Sequence, residues 1–87
     1  MSESARDQAR ALPENPGCYL MKDASDVVIY VGKAKNLKRR VNSYFLPNRN
    51  AKTAALVEKI VTIDYVITGN EYEALVLENN LIKKYNP

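Results

Sequence analysis

The spacing of apolar residues switches between period two and period 3.6 along the chain, and the switches predict its elements. Residues 17–22 and 27–31 are short apolar runs separated by Asp23-Ala24-Ser25-Asp26. Those four are turn formers, so the two runs predict an antiparallel hairpin. Asn36 then caps a predicted helix reaching residue 45, with Leu37, Val41 and Tyr44 on one face. Pro47 and the asparagines around it end that helix. Residues 51–61 read as a second helix, with Leu56, Val57 and Ile60 inward. Residues 63–68 alternate as a third strand, and Gly69-Asn70 breaks it. Asn70 with Glu73 three residues on fits the start of a last helix running to residue 85, with Ala74, Leu77, Leu81 and Ile82 inward. The predicted order is β-β-α-α-β-α, a small α/β (α+β) domain. Its sheet has three strands, antiparallel or mixed, flanked by three helices.

Residues 1–12 are polar and read as a frayed or loosely docked lead-in to one domain over 13–87. No apolar run approaches the ~18 residues of a membrane span, and the first residues lack the apolar stretch of a secretory signal. A single cysteine, Cys18, excludes an internal disulfide. These features predict a soluble, cytoplasmic protein without a membrane partner.

The net charge of +3 says little, but its distribution says more. Residues 27–57 contain no Asp or Glu, yet carry Lys33, Lys35, Lys38, Arg39, Arg40, Arg49 and Lys52. Clustered cations without acids are an electrostatic footprint for a polyanion. They fit equally a solvated basic helix face. Arg40 and Tyr44, four apart, share the face beside the core side of the first helix, whereas Lys38 and Arg39 point elsewhere. A guanidinium there suits a phosphate, or simply stacks on Tyr44.

Chemistry is constrained by the absence of histidine, which leaves proton transfer to tyrosine, lysine or a carboxylate. Six tyrosines against one phenylalanine suggest that phenol hydroxyls are wanted. Two tripeptides face each other across the hairpin, Gly17-Cys18-Tyr19 and Tyr30-Val31-Gly32, and Lys33 follows the second. As plain strand residues, the tyrosines pack and the glycines permit close approach. A nearby cation would lower the Tyr30 pKa, and either Lys33, three residues on, or the field of a metal ion acting through water could supply that charge. Cys18 reads as a packing residue. Glu78 falls in the apolar stripe of the last helix. It either reaches water or a lysine from the stripe's edge, or holds a metal ion such as Mg²⁺, which is often bound by one carboxylate plus waters.

Together the two tripeptides, the strings Ile29-Tyr30-Val31-Gly32-Lys33-Ala34-Lys35-Asn36-Leu37, Arg40-Val41 and Ser43-Tyr44-Phe45, and Glu73-Ala74-Leu75-Val76-Leu77-Glu78 with Asn80-Leu81-Ile82-Lys83-Lys84-Tyr85 resemble the GIY-YIG nuclease family, specifically its UvrC-like branch. The resemblance implies a metal-dependent endonuclease that hydrolyses a phosphodiester on the 3′ side of a lesion in bacterial nucleotide excision repair. It implies one Mg²⁺ (or Mn²⁺) on Glu78, Tyr30 as general base or water activator, and Tyr19 positioning water. Lys33, Arg40 and Tyr44 match further active-site positions, and Gly17 and Gly32 the motif glycines. The implied partners are damaged double-stranded DNA, tracked by Lys33, Lys35, Lys38, Arg39, Arg40 and Arg49, and UvrB in a UvrB–DNA pre-incision complex contacted through regions outside this chain. The family's further active-site asparagine is expected beyond Pro87, as in an N-terminal domain excised from a longer protein. A homing or restriction nuclease of the same family and a non-catalytic nucleic-acid-binding module are the alternatives. The nuclease reading expects the phenols, Arg40 and Glu78 around one common hollow.

Overall fold

The computed structural model describes residues 4–87. Its elements are α1 (Ala5–Arg10), β1 (Gly17–Lys22), β2 (Val28–Ala34), α2 (Leu37–Ser43), α3 (Ala51–Lys59), β3 (Thr62–Ile67) and α4 (Glu71–Tyr85). β1 pairs antiparallel with both neighbours, giving the strand order β2-β1-β3. The sheet is therefore antiparallel throughout.

Three asparagines start the helices. Asn36, Asn50 and Asn70 accept hydrogen bonds from the backbone N–H groups of Arg39 (3.0 Å), Thr53 (2.8 Å) and Glu73 (2.9 Å). Each satisfies an amide that the helix leaves unpaired, a contribution of about 1 kcal/mol. α2 stops at Ser43 rather than residue 45, because the Tyr44 and Phe45 amides turn back to the carbonyls of Val41 and Asn42 in a tighter turn. α4 closes on Asn86, whose left-handed backbone (φ 46°) lets its N–H bond the Ile82 carbonyl at 2.8 Å.

The lead-in differs from expectation. Residues 5–10 form a docked helix, with Ala9 and Leu12 buried. The Gln8 side chain accepts from the Ile63 N–H and donates to the Val61 carbonyl, both at 2.9 Å. Asn42 of α2 donates to the Ala9 carbonyl at 2.8 Å. Polar anchors hold this helix, so its hydrophobic pattern is faint. Residues 1–3 of the lead-in lie outside the described residues.

Strand alternation divides the core. Tyr19 and Met21 of β1 join Ala9, Leu37, Val41 and Tyr44 on one face of the sheet. Leu20 joins Val28 and Val31 on the other, against Leu81 of α4. Also on the α4 face, the Cys18 thiol donates to the Ala74 carbonyl at 3.1 Å. α4 rests on a narrow stripe of Ala74, Leu77, Glu78 and Leu81, and Ile82, expected inward, is 41% exposed. It lies past the margin of that stripe.

β2 runs longer than the apolar run over 27–31 suggested, and it contains a bulge. Met21 pairs with Tyr30 and Lys22 with Val28, leaving Ile29 as the extra residue. Val28 and Val31 pack on the α4 face, whereas Ile29 packs with the opposite cluster, the side on which Tyr30 stacks against Tyr19. The extra residue resets the alternation and aims Ile29 and Tyr30 to the same side.

Candidate active site

The free edge of β2 gathers three phenols. Tyr19 and Tyr30 stack with ring centroids 6.2 Å apart, and Tyr44 at the end of α2 meets both edge-on at 5.9 and 6.0 Å. The Tyr19 and Tyr44 hydroxyls lie 2.7 Å apart. Gly32 makes this approach possible. It pairs with Tyr19 across the sheet, and a Cβ on it would fall 2.4 Å from the Tyr19 hydroxyl oxygen. Gly17 is tighter still. A Cβ there would run into the Val66 carbonyl oxygen, so this glycine fits β1 against β3.

Arg40 projects from α2 over the Tyr44 ring, 5.6 Å from its centroid. Its interaction with the Tyr19 phenol raises the guanidinium pKa. Burial, above all, raises the Tyr19 pKa. Burial and then the hydrogen bond with Tyr19 push Tyr44 up to about 12. Tyr30 is raised first by its hydrogen bond with Tyr44 and then by burial. The three phenols and Arg40 thus act on one another as a group, and in the 2.7 Å Tyr19–Tyr44 pair either hydroxyl can donate.

The expectation that Lys33 lowers the Tyr30 pKa fails. Lys33 pairs with Cys18, on the α4 face, so three residues along the strand carry it to the opposite side from Tyr30. Arg40 is the cation that acts to lower Tyr30, and the net shift is upward.

Glu78 lies half-buried on α4, one turn from Ala74. Its charge acts to raise both Cys18 and Tyr30, and Lys33 opposes it at Cys18. Burial is the larger cause at Cys18, which reaches about 11. Among the described residues the Glu78 carboxylate has no ion pair or hydrogen bond. No cluster of three or more His, Cys, Asp or Glu side chains exists among the described residues. A metal here would therefore take one protein carboxylate plus waters, a donor set that suits Mg²⁺.

Two clefts meet at α2 and share Arg40 and Ser43. The first, about 450 Å³, adds Lys33, Lys35, Asn36, Arg39 and Glu71. The second, about 620 Å³, adds Tyr30, Tyr44, Asn48, Arg49, Lys52 and Leu56. Arg39 thus shares a cleft with Arg40, contrary to the expectation that it points elsewhere. Lys38 is exposed and lines neither. Lys35 pairs with Glu71 at 3.4 Å, an exposed contact worth little. Glu78 lines neither cleft, so the single hollow expected from sequence is a divided one. The phenols lie on the α2 face of the sheet and Glu78 on α4, which packs on the other face.

Sequence reasoning missed Ser43, Asn48, Lys52 and Leu56 as lining residues. Lys52 left a signal as a cation in the acid-free segment, Ser43 as part of the motif string, and Leu56 only as an inward helix position.

Residues 15–87 match the family model for the UvrC-like GIY-YIG domain. The chain belongs to the UvrC-like GIY-YIG domain family. It is 59% identical to UvrABC system protein C of Symbiobacterium thermophilum over 83 residues, covering 93% of this chain and 13% of that protein. Identity to the protein of the same name from Aster yellows witches'-broom phytoplasma is 57%, over 93% of this chain and 14% of the relative. The chain thus spans about a seventh of such relatives. The GIY-YIG N-terminal endonuclease domain of UvrC from Thermotoga maritima, crystallised with its catalytic divalent cation, magnesium, superposes with a TM-score of 0.88 at 41% identity, over 100% of this chain and 96% of that one. This UvrC-like placement disfavours the homing and restriction branches. Among the described residues, no helix is long and apolar enough to cross a membrane.

Proposed function

We propose that the chain is a metal-dependent DNA endonuclease domain that hydrolyses a phosphodiester on the 3′ side of a lesion in bacterial nucleotide excision repair. It would be the N-terminal domain of a longer cytoplasmic protein that meets UvrB on damaged double-stranded DNA through segments outside this chain. The observation that carries the reading is the cluster of three phenols with Arg40 beside β2, together with Glu78, a half-buried carboxylate on α4 that has no ion pair or hydrogen bond among the described residues.

Glu78 is the residue that would hold a single Mg²⁺ or Mn²⁺, and a bound ion would supply Lewis-acid charge and acidify a water. The protein's own groups do the rest. Tyr30 is the most accessible of the three phenols, 36% exposed against 9% for Tyr44 and 1% for Tyr19. It lines the α3-side cleft, where its phenolate form would take one proton from an attacking water and become the neutral phenol as the new P–O bond forms. Burial and Arg40 hold Tyr19 and Tyr44 in place. Arg40, cationic at any physiological pH, lies where it can neutralise charge growing on a nonbridging or leaving oxygen. Lys33, on the Glu78 side, adds a second cation, and Lys35, Arg39 and Arg49 track backbone phosphates.

The test is single-turnover incision of a lesion-bearing duplex by the full repair protein with its partners. Glu78→Gln should slow 3′ incision by roughly a hundredfold or more with DNA binding retained, and Arg40→Ala by a similar factor. Unchanged incision by Glu78→Gln would refute the reading and favour a non-catalytic binding module.

A further inference from the structure

The cleft on the α3 side carries more chemistry than phosphates alone require. Arg49 and Lys52 provide cations and Asn48 an amide, enough to follow a sugar–phosphate backbone. The lining also includes Ile29 and Leu56, both partly buried against the main core cluster. Apolar side chains within a cationic cleft gain from being covered by apolar surface, and a phosphate offers none. The faces of a nucleobase and a sugar do. The cleft, about 620 Å³, is open to solvent along Asn48, Arg49 and Lys52, so a strand can lie in it. The same cleft is lined by Tyr30 and Arg40, so its occupant would be continuous with a phosphate held there.

We propose that this cleft is a nucleotide subsite. It takes one unstacked nucleotide of the DNA strand next to the scissile phosphate, with base and sugar against Ile29 and Leu56 and the adjoining phosphates between Arg49 and Lys52. The placement beside a scissile phosphate rests on the nuclease reading above. An amide both donates and accepts, so Asn48 meets any base edge and the subsite is tolerant of sequence. Unstacking is costly in an intact duplex and cheap where the duplex is already distorted. The subsite therefore favours damaged or single-stranded DNA over regular duplex.

The experiment is equilibrium binding to the chain, by fluorescence anisotropy at low salt without divalent metal. It compares a labelled thymidine oligonucleotide with an abasic oligonucleotide of the same length and phosphate count. The base-bearing strand should bind about tenfold tighter. Leu56→Ser should cut that preference to below about twofold, while Lys52→Ala weakens both strands alike and lowers the salt slope by about one. Equal binding of the two strands by the unaltered chain would overturn the proposal and leave a phosphate track. That comparison needs no variant, so it decides even if Leu56→Ser fails to fold. Glu78→Gln should keep the base preference. A preference that persists while Glu78→Gln leaves incision intact would sink the nuclease reading and spare the subsite.

Discussion

Tyr19 and Tyr44 join their hydroxyls at 2.7 Å, one from the central strand of the sheet and the other from the C-terminal end of α2. This bond couples the sheet to the helix that carries Arg40, and it lies inside the core rather than on the surface. Removing it by Tyr44→Phe leaves Tyr19 with Arg40 and opens Tyr30 to water. The expected loss of stability is about 1 kcal/mol, with single-turnover incision falling at least about tenfold because Tyr30 loses its orientation. Denaturant unfolding and incision rates measured on one preparation check both figures.

Gly32 is required by the same pair. A methyl group at this position would overlap the Tyr19 phenol, which is fully buried and cannot swing aside without moving Tyr44. Gly32→Ala should destabilise the fold by about 1–3 kcal/mol and abolish most incision. Thermal unfolding followed by circular dichroism would show a lowered but still cooperative transition. An unchanged melting temperature would mean that the phenol cluster is looser than described.

Alkaline pH should weaken the fold in a defined window. Burial raises the Cys18 thiol from 9.0 to about 11 and, with the Tyr19 hydrogen bond, the Tyr44 phenol from 10.0 to about 12. Both groups bind their protons more tightly folded than unfolded. Their stabilisation is complete below pH 9 and is lost as pH rises, for Cys18 toward about 11 and for Tyr44 from 10 toward about 12. Cys18→Ala should flatten the fall between pH 9 and 11, and Tyr44→Phe the fall above pH 10. Melting temperatures across that range, compared with the unaltered chain, measure each contribution. A parallel decline in all three proteins would remove these groups as the cause.

Gln8 is the anchor that the hydrophobic pattern did not reveal. Its side chain satisfies the Ile63 amide and the Val61 carbonyl at the start of β3. Gln8→Ala should cost about 1–3 kcal/mol through the amide left unpaired, and hydrogen exchange at Ile63 should quicken. Unchanged exchange at Ile63 would show that α1 contributes no restraint there.

The contrast between Gln8 and Asn70 shows what was legible in the sequence. Asn70, Asn36 and the Asp23–Asp26 turn act on their own neighbours, so local chemistry announces them, and strand order and helix starts follow. Gln8 acts across more than fifty residues of chain, and no local pattern records that. The Ile29 bulge is likewise invisible, because one unpaired residue changes the facing of a strand without changing its composition. Lys33 was misplaced for a related reason. Closeness to Tyr30 in sequence meant opposite faces once the strand formed. The candidate site residues were named through motif resemblance. Their division between two sheet faces, and the α3-side cleft, required the fold.

The most direct test of the account is the location of a divalent ion. Crystals soaked in Mn²⁺ should show one anomalous-scattering peak within bonding distance of a Glu78 carboxylate oxygen, on the side facing Tyr30, with its other ligands mostly water. The peak should vanish in Glu78→Gln. A peak held by other residues, or one that survives that substitution, would contradict the assignment of Glu78 as the metal ligand.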